Sequence, residues 1–169
     1  MSVWRHVRAV GLLPGMVTVV APAVIVWTGD AVDIGWGLPA GFDVLPVLAG
    51  GALVALGLLL IIRTVALFAR LGEGTLSPWD PTSRLVVRGP YRHVRNPMIS
   101  GVLSILLGEA ALLGSVPLLI WFAAVLAVNA VYMPLVEEPG LVRRFGADYE
   151  TYRANVARWV ASPRPWDPP

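Results

Sequence analysis

Long apolar runs dominate the chain and alternate with short polar stretches. Residues 9–27 and residues 44–62 are each 19 residues long and carry no charge. Residues 98–136 form a third apolar stretch of 39 residues whose one charge is Glu109. A helix needs roughly 20 apolar residues to cross the ~30 Å hydrocarbon core of a bilayer. The pattern therefore predicts one membrane-spanning helix in each of the first two runs and more than one in the third.

The third stretch divides at Gly-Ser-Val-Pro, residues 114–117. We expect helices of about 98–114 and 117–136, joined as a tight antiparallel hairpin. The first of these is short for a full crossing. The first run of the chain has no small-x-small cleavage site before polar sequence, so it is interpreted as a retained helix, kinked at Pro14 and Pro22, and not as a signal peptide.

The arginines give the orientation. All 13 basic residues are arginine, and the segment between the first two helices has three aspartates and no arginine. With four helices, every arginine falls on one side of the membrane, whereas three or five helices would scatter them. The positive-inside rule makes that side cytoplasmic, together with both termini. The sequence predicts an all-α polytopic membrane protein with four transmembrane helices and a C-terminal cytoplasmic amphipathic helix.

The composition fits a membrane protein and excludes several kinds of chemistry. Charged residues make up 14% of the chain, against roughly 25% in soluble proteins. There is no cysteine and there are two histidines, so disulfides, thiolate chemistry and a metal site are not expected. Nucleic-acid binding is not expected either, because the arginines flank apolar spans and form no basic stripe. Arginine in place of lysine, with much Ala, Val and Gly, suggests a GC-rich genome and a bacterial cytoplasmic membrane.

Two segments outside the spans have patterns of their own. Residues 71–97 are rich in Gly and Pro, so regular helix is not expected there; residues 85–87 are a short extended segment and Pro90 lies in a turn. The tail from Glu137 to Trp159 is helical in pattern, with a break predicted at Gly146 and an apolar stripe at helical spacing: Leu141, Phe145, Tyr149, Tyr152, Val156 and Trp159. It could lie on the membrane surface or fold back over a site. The end, residues 163–169, is expected to be loose.

Two polar clusters flank the predicted hairpin. The first is Gly-Pro-Tyr-Arg-His-Val-Arg-Asn-Pro, residues 89–97, and the second is Glu137 with Glu138. An antiparallel hairpin brings these clusters together at one membrane face. Two interpretations stay open: a salt-bridge network that ties the ends together, or a site for a ligand with separate cationic and anionic ends.

At these residues the sequence resembles the integral-membrane methyltransferases of the isoprenylcysteine carboxyl methyltransferase and phospholipid methyltransferase group. The matching positions cover about residues 72–160: the 89–97 cluster with Gly101, then Glu137, Glu138, Leu141, Phe145, Gly146, Tyr149, Tyr152, Val156 and Arg158. The resemblance implies two regions within one structural domain. Residues 1–70 are a transmembrane helix pair without motifs, and residues 71–169 are the methyltransferase-like, cofactor-binding part.

The resemblance also implies S-adenosylmethionine as methyl donor and a lipid or apolar small molecule as acceptor. The cofactor-binding residues that it implies are Leu85, Val86, Tyr91, Arg95, Asn96, Pro97, Met98, Ile99 and Glu137. His93 and Glu138 are candidate general bases, needed for an amine or hydroxyl acceptor but not for a carboxylate. Glu109 is interpreted as structural, by snorkelling or by bonding to a neighbouring helix.

Two positions depart from the family pattern. Ile99 stands where an aromatic residue is common, and Met133 stands where the prenylcysteine enzymes have an arginine. These departures put prenylcysteine as acceptor in doubt. The alternatives are an NADPH-dependent sterol-type membrane reductase and a non-catalytic membrane accessory protein. The oligomeric state cannot be read from the sequence.

Overall fold

The computed structural model describes residues 14–29, 32–71 and 85–168. Within these ranges the chain is helical and contains no strand. A π-helical turn, Met16–Val20, leads into the first helix. The helices are α1 (Ala21–Thr28), α2 (Val44–Leu71), α3 (Pro97–Leu113), α4 (Val116–Tyr132), α5 (Glu138–Phe145) and α6 (Ala147–Asn155). A second π-turn, Met133–Glu137, joins α4 to α5, and a 3-10 turn, Gly89–Arg92, precedes α3.

Among the described residues, two helical stretches are long and apolar enough to span a membrane. They cover Val44–Arg70, with a mean hydropathy of 2.6, and Val116–Phe145, with 2.1. Only 11% of the most apolar window of each helix is buried inside the protein, so both turn most of their surface outward, as a lipid-facing helix does. The apolar helices Met16–Thr28 and Pro97–Leu113 are shorter. Residues 9–13 of the first predicted run lie outside the described residues.

Helices α2 and α3 approach each other closely along a line of glycines. A Cβ on Gly57 would lie 2.5 Å from the carbonyl oxygen of Gly101, and a Cβ on Gly108 would lie 2.7 Å from that of Gly50. Any side chain at these positions would therefore push the backbones apart. Small residues permit such contact between membrane helices, where packing rather than the hydrophobic effect holds helices together. We call this contact the glycine seam.

Helices α3 and α4 form the predicted hairpin. Gly114 ends α3 in the left-handed region at φ +58°, which strains a residue with a Cβ. Ser115 then caps α4, its side chain accepting a hydrogen bond from the amide of Leu118. The loop from α1 covers this turn, because the amide of Asp33 donates to the carbonyl of Leu113 at 3.0 Å. The turn at residues 114–117 is thus confirmed.

A π-turn interrupts the helix of the first apolar run just before Pro22. In the π-turn, the amide of Ala21 bonds to the carbonyl of Met16, five residues back. The same pattern would pair residue 22 with Val17, but Pro22 has no amide hydrogen. The indole Nε1 of Trp121 on α4 donates to that Val17 carbonyl at 3.1 Å. An interhelical hydrogen bond thereby satisfies a carbonyl that the proline leaves without a donor.

The C-terminal tail folds back on the protein. Gly146, at φ +55°, separates α5 from α6, which confirms the predicted break. The apolar stripe is internal: Tyr149, Tyr152 and Val156 are buried and pack against the 85–87 segment. The prediction of a loose end is wrong, since Trp166 packs on the same cluster and its amide donates to the carbonyl of Arg92 at 2.9 Å. Trp159 is not part of this cluster.

Candidate functional site

The 89–97 cluster is built as a tight turn ahead of α3. Gly89 takes φ +55°, and the 3-10 turn closes through amides of His93 and Val94 that donate to the carbonyl of Pro90. Pro97 occupies the start of α3, where a missing amide hydrogen costs nothing. Val94 and Pro97 are buried, so the turn is anchored against the helices.

Glu138 is the centre of an ion-pair cluster. One carboxylate oxygen lies 2.9 Å from Nη1 of Arg95 and 2.6 Å from Nε of Arg158, and the other accepts from Nη2 of Arg158 at 2.9 Å. Glu138 is 5% exposed. The two predicted polar clusters therefore meet, as the hairpin required. We call Arg95, Glu138 and Arg158 the buried ion-pair triad.

Glu137 has a different environment from its neighbour. Because successive helical residues point about 100° apart, the side chain of Glu137 points in a different direction from that of Glu138. The carboxylate of Glu137 forms no hydrogen bond or ion pair with the parts of the chain that are described. Burial, first of all, raises the pKa of Tyr91 above its ordinary value, and the neighbouring Tyr152 and Glu137 also disfavour a phenolate there. Tyr91 therefore lies near Glu137 and stays a neutral phenol.

Aromatic side chains surround the triad. Tyr149 accepts a hydrogen bond from Arg95 at 3.4 Å through its hydroxyl oxygen. Tyr152 donates to the carbonyl of Tyr91 at 2.7 Å, and burial raises its pKa, so it too stays protonated. Phe68 of α2 meets the ring of Tyr91 edge to face at 5.7 Å between centroids. These rings link α2, the 89–97 turn and α6 around one polar centre.

Within the described ranges, one donor of the triad has no acceptor. Nε of Arg95 is buried and lacks a hydrogen-bond partner, although the same guanidinium is bonded to Glu138 and Tyr149. The hydroxyl of Ser100, in the first turn of α3, is buried without a partner as well. Unpaired buried donors cost free energy unless a water or ligand satisfies them.

His93 faces away from the triad. Its Nδ1 lies 2.7 Å from the carbonyl oxygen of Ser162 in the tail. A carbonyl can only accept, so Nδ1 carries the hydrogen and Nε2 of the neutral ring is left with a lone pair. His93 lines a groove beside α2, whereas Glu138 is enclosed by arginines. The two candidate bases thus have different surroundings.

The remaining predicted contact residues adjoin the triad. Leu85 packs on the tyrosine cluster, and Val86 follows it, half-buried. Residues 96–99 form the start of α3; the carbonyl of Asn96 accepts from the amide of Ser100, and Met98 and Ile99 are half-buried. Met133, the second departure from the family pattern, is buried at the start of the π-turn.

Three parts of this region were not predicted as site residues. Arg158 matched a family position, but its distance from Glu138 in the chain gave no reason to pair them. Tyr149 and Tyr152 were predicted as members of an apolar stripe and matched family positions, but were given no role at the site. Nothing in the sequence indicated that Trp166 would pack against Tyr152, with ring centroids 5.9 Å apart.

The fold and the polar centre define a class: a membrane protein with its site at one end of a helical hairpin. A family model described as phospholipid methyltransferase matches residues 45–148, more than half of the chain. The match includes α2, the 89–97 turn, the hairpin and both glutamates. The protein belongs to the phospholipid methyltransferase family and is a membrane methyltransferase. No curated protein matches the chain.

Proposed function

We propose that the protein transfers a methyl group from S-adenosylmethionine to a lipid or other apolar small molecule, at the cytoplasmic face of the membrane. The family match supports methyl transfer. The observation that carries the choice of donor is a pair of oppositely charged groups without partners among the described residues: the carboxylate of Glu137, and the Nε of Arg95, which is buried. Such a pair suits a ligand with both a cation and an anion.

S-adenosylmethionine has an ammonium, a carboxylate, a ribose diol and a sulfonium, and the residues present fit it. Glu137 would accept hydrogen bonds from the ammonium or the diol, and Arg95 would donate to the carboxylate. The ring of Tyr91 offers an aromatic face to the sulfonium. Leu85, Val86 and the residues 96–99 are the further proposed contacts. When bound, the donor supplies an electrophilic methyl group for in-line displacement.

The protein's own contribution is alignment, exclusion of water and removal of one proton. The triad fixes the 89–97 turn against α5 and the tail, so we assign Glu138 a positioning role. Its carboxylate is occupied by two guanidinium groups and is a poor proton acceptor. Nε2 of His93 is the better candidate, because it has a free lone pair and could take a proton from an amine or hydroxyl acceptor.

Calorimetry in detergent tests the proposal. We expect S-adenosylmethionine and its demethylated product to bind at micromolar concentration, and NADPH not to bind. Glu137→Gln should weaken this binding at least tenfold, while Glu150→Gln, which neutralises an exposed carboxylate on α6, should leave it unchanged. Binding of NADPH would instead indicate a reductase, and binding of none of these compounds would indicate an accessory protein. Either result would overturn the proposal.

A further inference from the structure

A groove of about 710 Å³ runs along α2 and is separate from the buried ion-pair triad. Arg92 and His93 line it, but Tyr91 and Arg95 do not. Its apolar floor is formed by Leu56, Leu59 and Leu60. The 89–94 segment and the tail form the wall.

Two cations on α2 face this groove without a counter-ion. Arg63 and Arg70 line the groove, are exposed, and form no ion pair with any described residue. Seven residues apart, they lie on one helix face, separated by about 10 Å of rise. By contrast, Arg92 is paired with Asp167. Among the described residues that line the groove none is acidic, so this lining has an excess of positive charge.

The groove changes from apolar to cationic along the membrane normal. The apolar span of α2 ends at Arg70, which places Arg70 at the level of the lipid headgroups. Leu56 lies fourteen residues, or about 21 Å, deeper along the helix. A phospholipid has the same order of polarity, with apolar chains below and a phosphate above.

We infer that this groove binds one anionic phospholipid of the bilayer. An acyl chain lies along the three leucines, and the phosphate lies between Arg63 and Arg70, whose planar guanidinium groups match phosphate oxygens. An anionic headgroup is favoured over a zwitterionic one, because the described lining of the groove carries two unpaired guanidinium groups and no carboxylate for an ammonium. The inference concerns lipid binding between Arg63 and Arg70 and not methylation, so it does not depend on the proposed function.

Native mass spectrometry of the purified protein, with phosphatidylglycerol or phosphatidylcholine of identical chains, tests the inference. The wild type should retain phosphatidylglycerol preferentially. Arg63→Gln and Arg70→Gln should each weaken that binding about fivefold, and the double variant about 25-fold. Arg143→Gln removes the same charge from an exposed position on α5, away from the groove, and should have no effect.

A second variant tests the apolar part. Ala66→Phe places a ring in the groove and should reduce retention of phosphatidylglycerol, with tryptophan fluorescence confirming that the melting transition is unchanged. Equal retention of both lipids by the wild type would overturn the inference. So would undiminished phosphatidylglycerol binding by the double arginine variant, or by a folded Ala66→Phe protein.

Discussion

Glu138 and Arg158 form a two-point ion pair, in which each carboxylate oxygen lies within 2.9 Å of a guanidinium nitrogen. The two residues are twenty positions apart in the sequence. Arg158 lies beyond the last helix, so this pair fastens the tail to the start of α5. Arg95 brings the 89–97 turn to the same carboxylate at 2.9 Å. Three separate segments therefore depend on one buried negative charge.

Removing that charge should destabilise the protein strongly. Glu138→Ala leaves two arginines without a counter-ion, and we expect a loss of about 3 kcal/mol. Arg158→Ala should cost less, about 1.5 kcal/mol, since Arg95 still pairs with Glu138 and the Arg158 side chain is partly exposed. Thermal unfolding in detergent, followed by tryptophan fluorescence, measures both. Equal melting temperatures for wild type and Glu138→Ala would contradict this account.

His93→Gln should separate chemistry from donor binding. If the acceptor is an amine or a hydroxyl, we expect kcat to fall about 100-fold or more, because Nε2 of the neutral His93 ring has a lone pair available, whereas the Glu138 carboxylate is paired with two guanidinium groups. The affinity for S-adenosylmethionine, measured by calorimetry, should not change. Radiolabelled donor with a lipid extract measures turnover. An unaltered kcat would show that the acceptor needs no base, as a carboxylate would not.

Bulk introduced at the glycine seam should separate α2 from α3. Gly57→Leu forces the new side chain into the Gly101 backbone, and we expect a loss of at least 2 kcal/mol of stability. Gly51→Leu on the same helix is the matched control, because a Cβ at Gly51 meets nothing within 4 Å. Comparable melting temperatures for the two variants would contradict the close packing described here.

The tail should protect the 89–97 turn. Trp166→Ala removes a ring that packs on Tyr152, and we expect faster hydrogen exchange at the amides of residues 91–95. Leu135→Ala, which truncates a side chain exposed on the π-turn, serves as a control and should leave those rates unchanged. Exchange that is the same in Trp166→Ala and wild type would mean that the tail contact contributes little.

The proposed orientation can be measured directly, because the chain has no cysteine to remove. Asp43→Cys should react with a membrane-impermeant maleimide on intact cells. Arg143→Cys should react only after the membrane is opened. The reverse pattern would place the arginines outside, and reaction of both positions on intact cells would exclude the four-crossing topology.

The sequence pattern predicted the second span, the turn at Gly114 and the meeting of the 89–97 turn with Glu138. Each depends on local signals: an uncharged run, a glycine followed by a serine cap, and the short loop of a hairpin. Long-range pairs such as Arg158 with Glu138 could not be predicted. Arg158 is one of thirteen arginines, and nothing local distinguishes it from the others. The packing of Trp166 on Tyr152 could not be predicted either, because it depends on contacts between residues far apart in the sequence.

The glycine seam has a consequence for how large molecules reach the interior. The backbones of α2 and α3 are in direct contact there, with no side chains between them that could rotate aside. The two helices therefore behave as one rigid unit. A lipid-sized acceptor cannot pass between them. An acceptor must therefore reach the site by a route that avoids the α2–α3 contact.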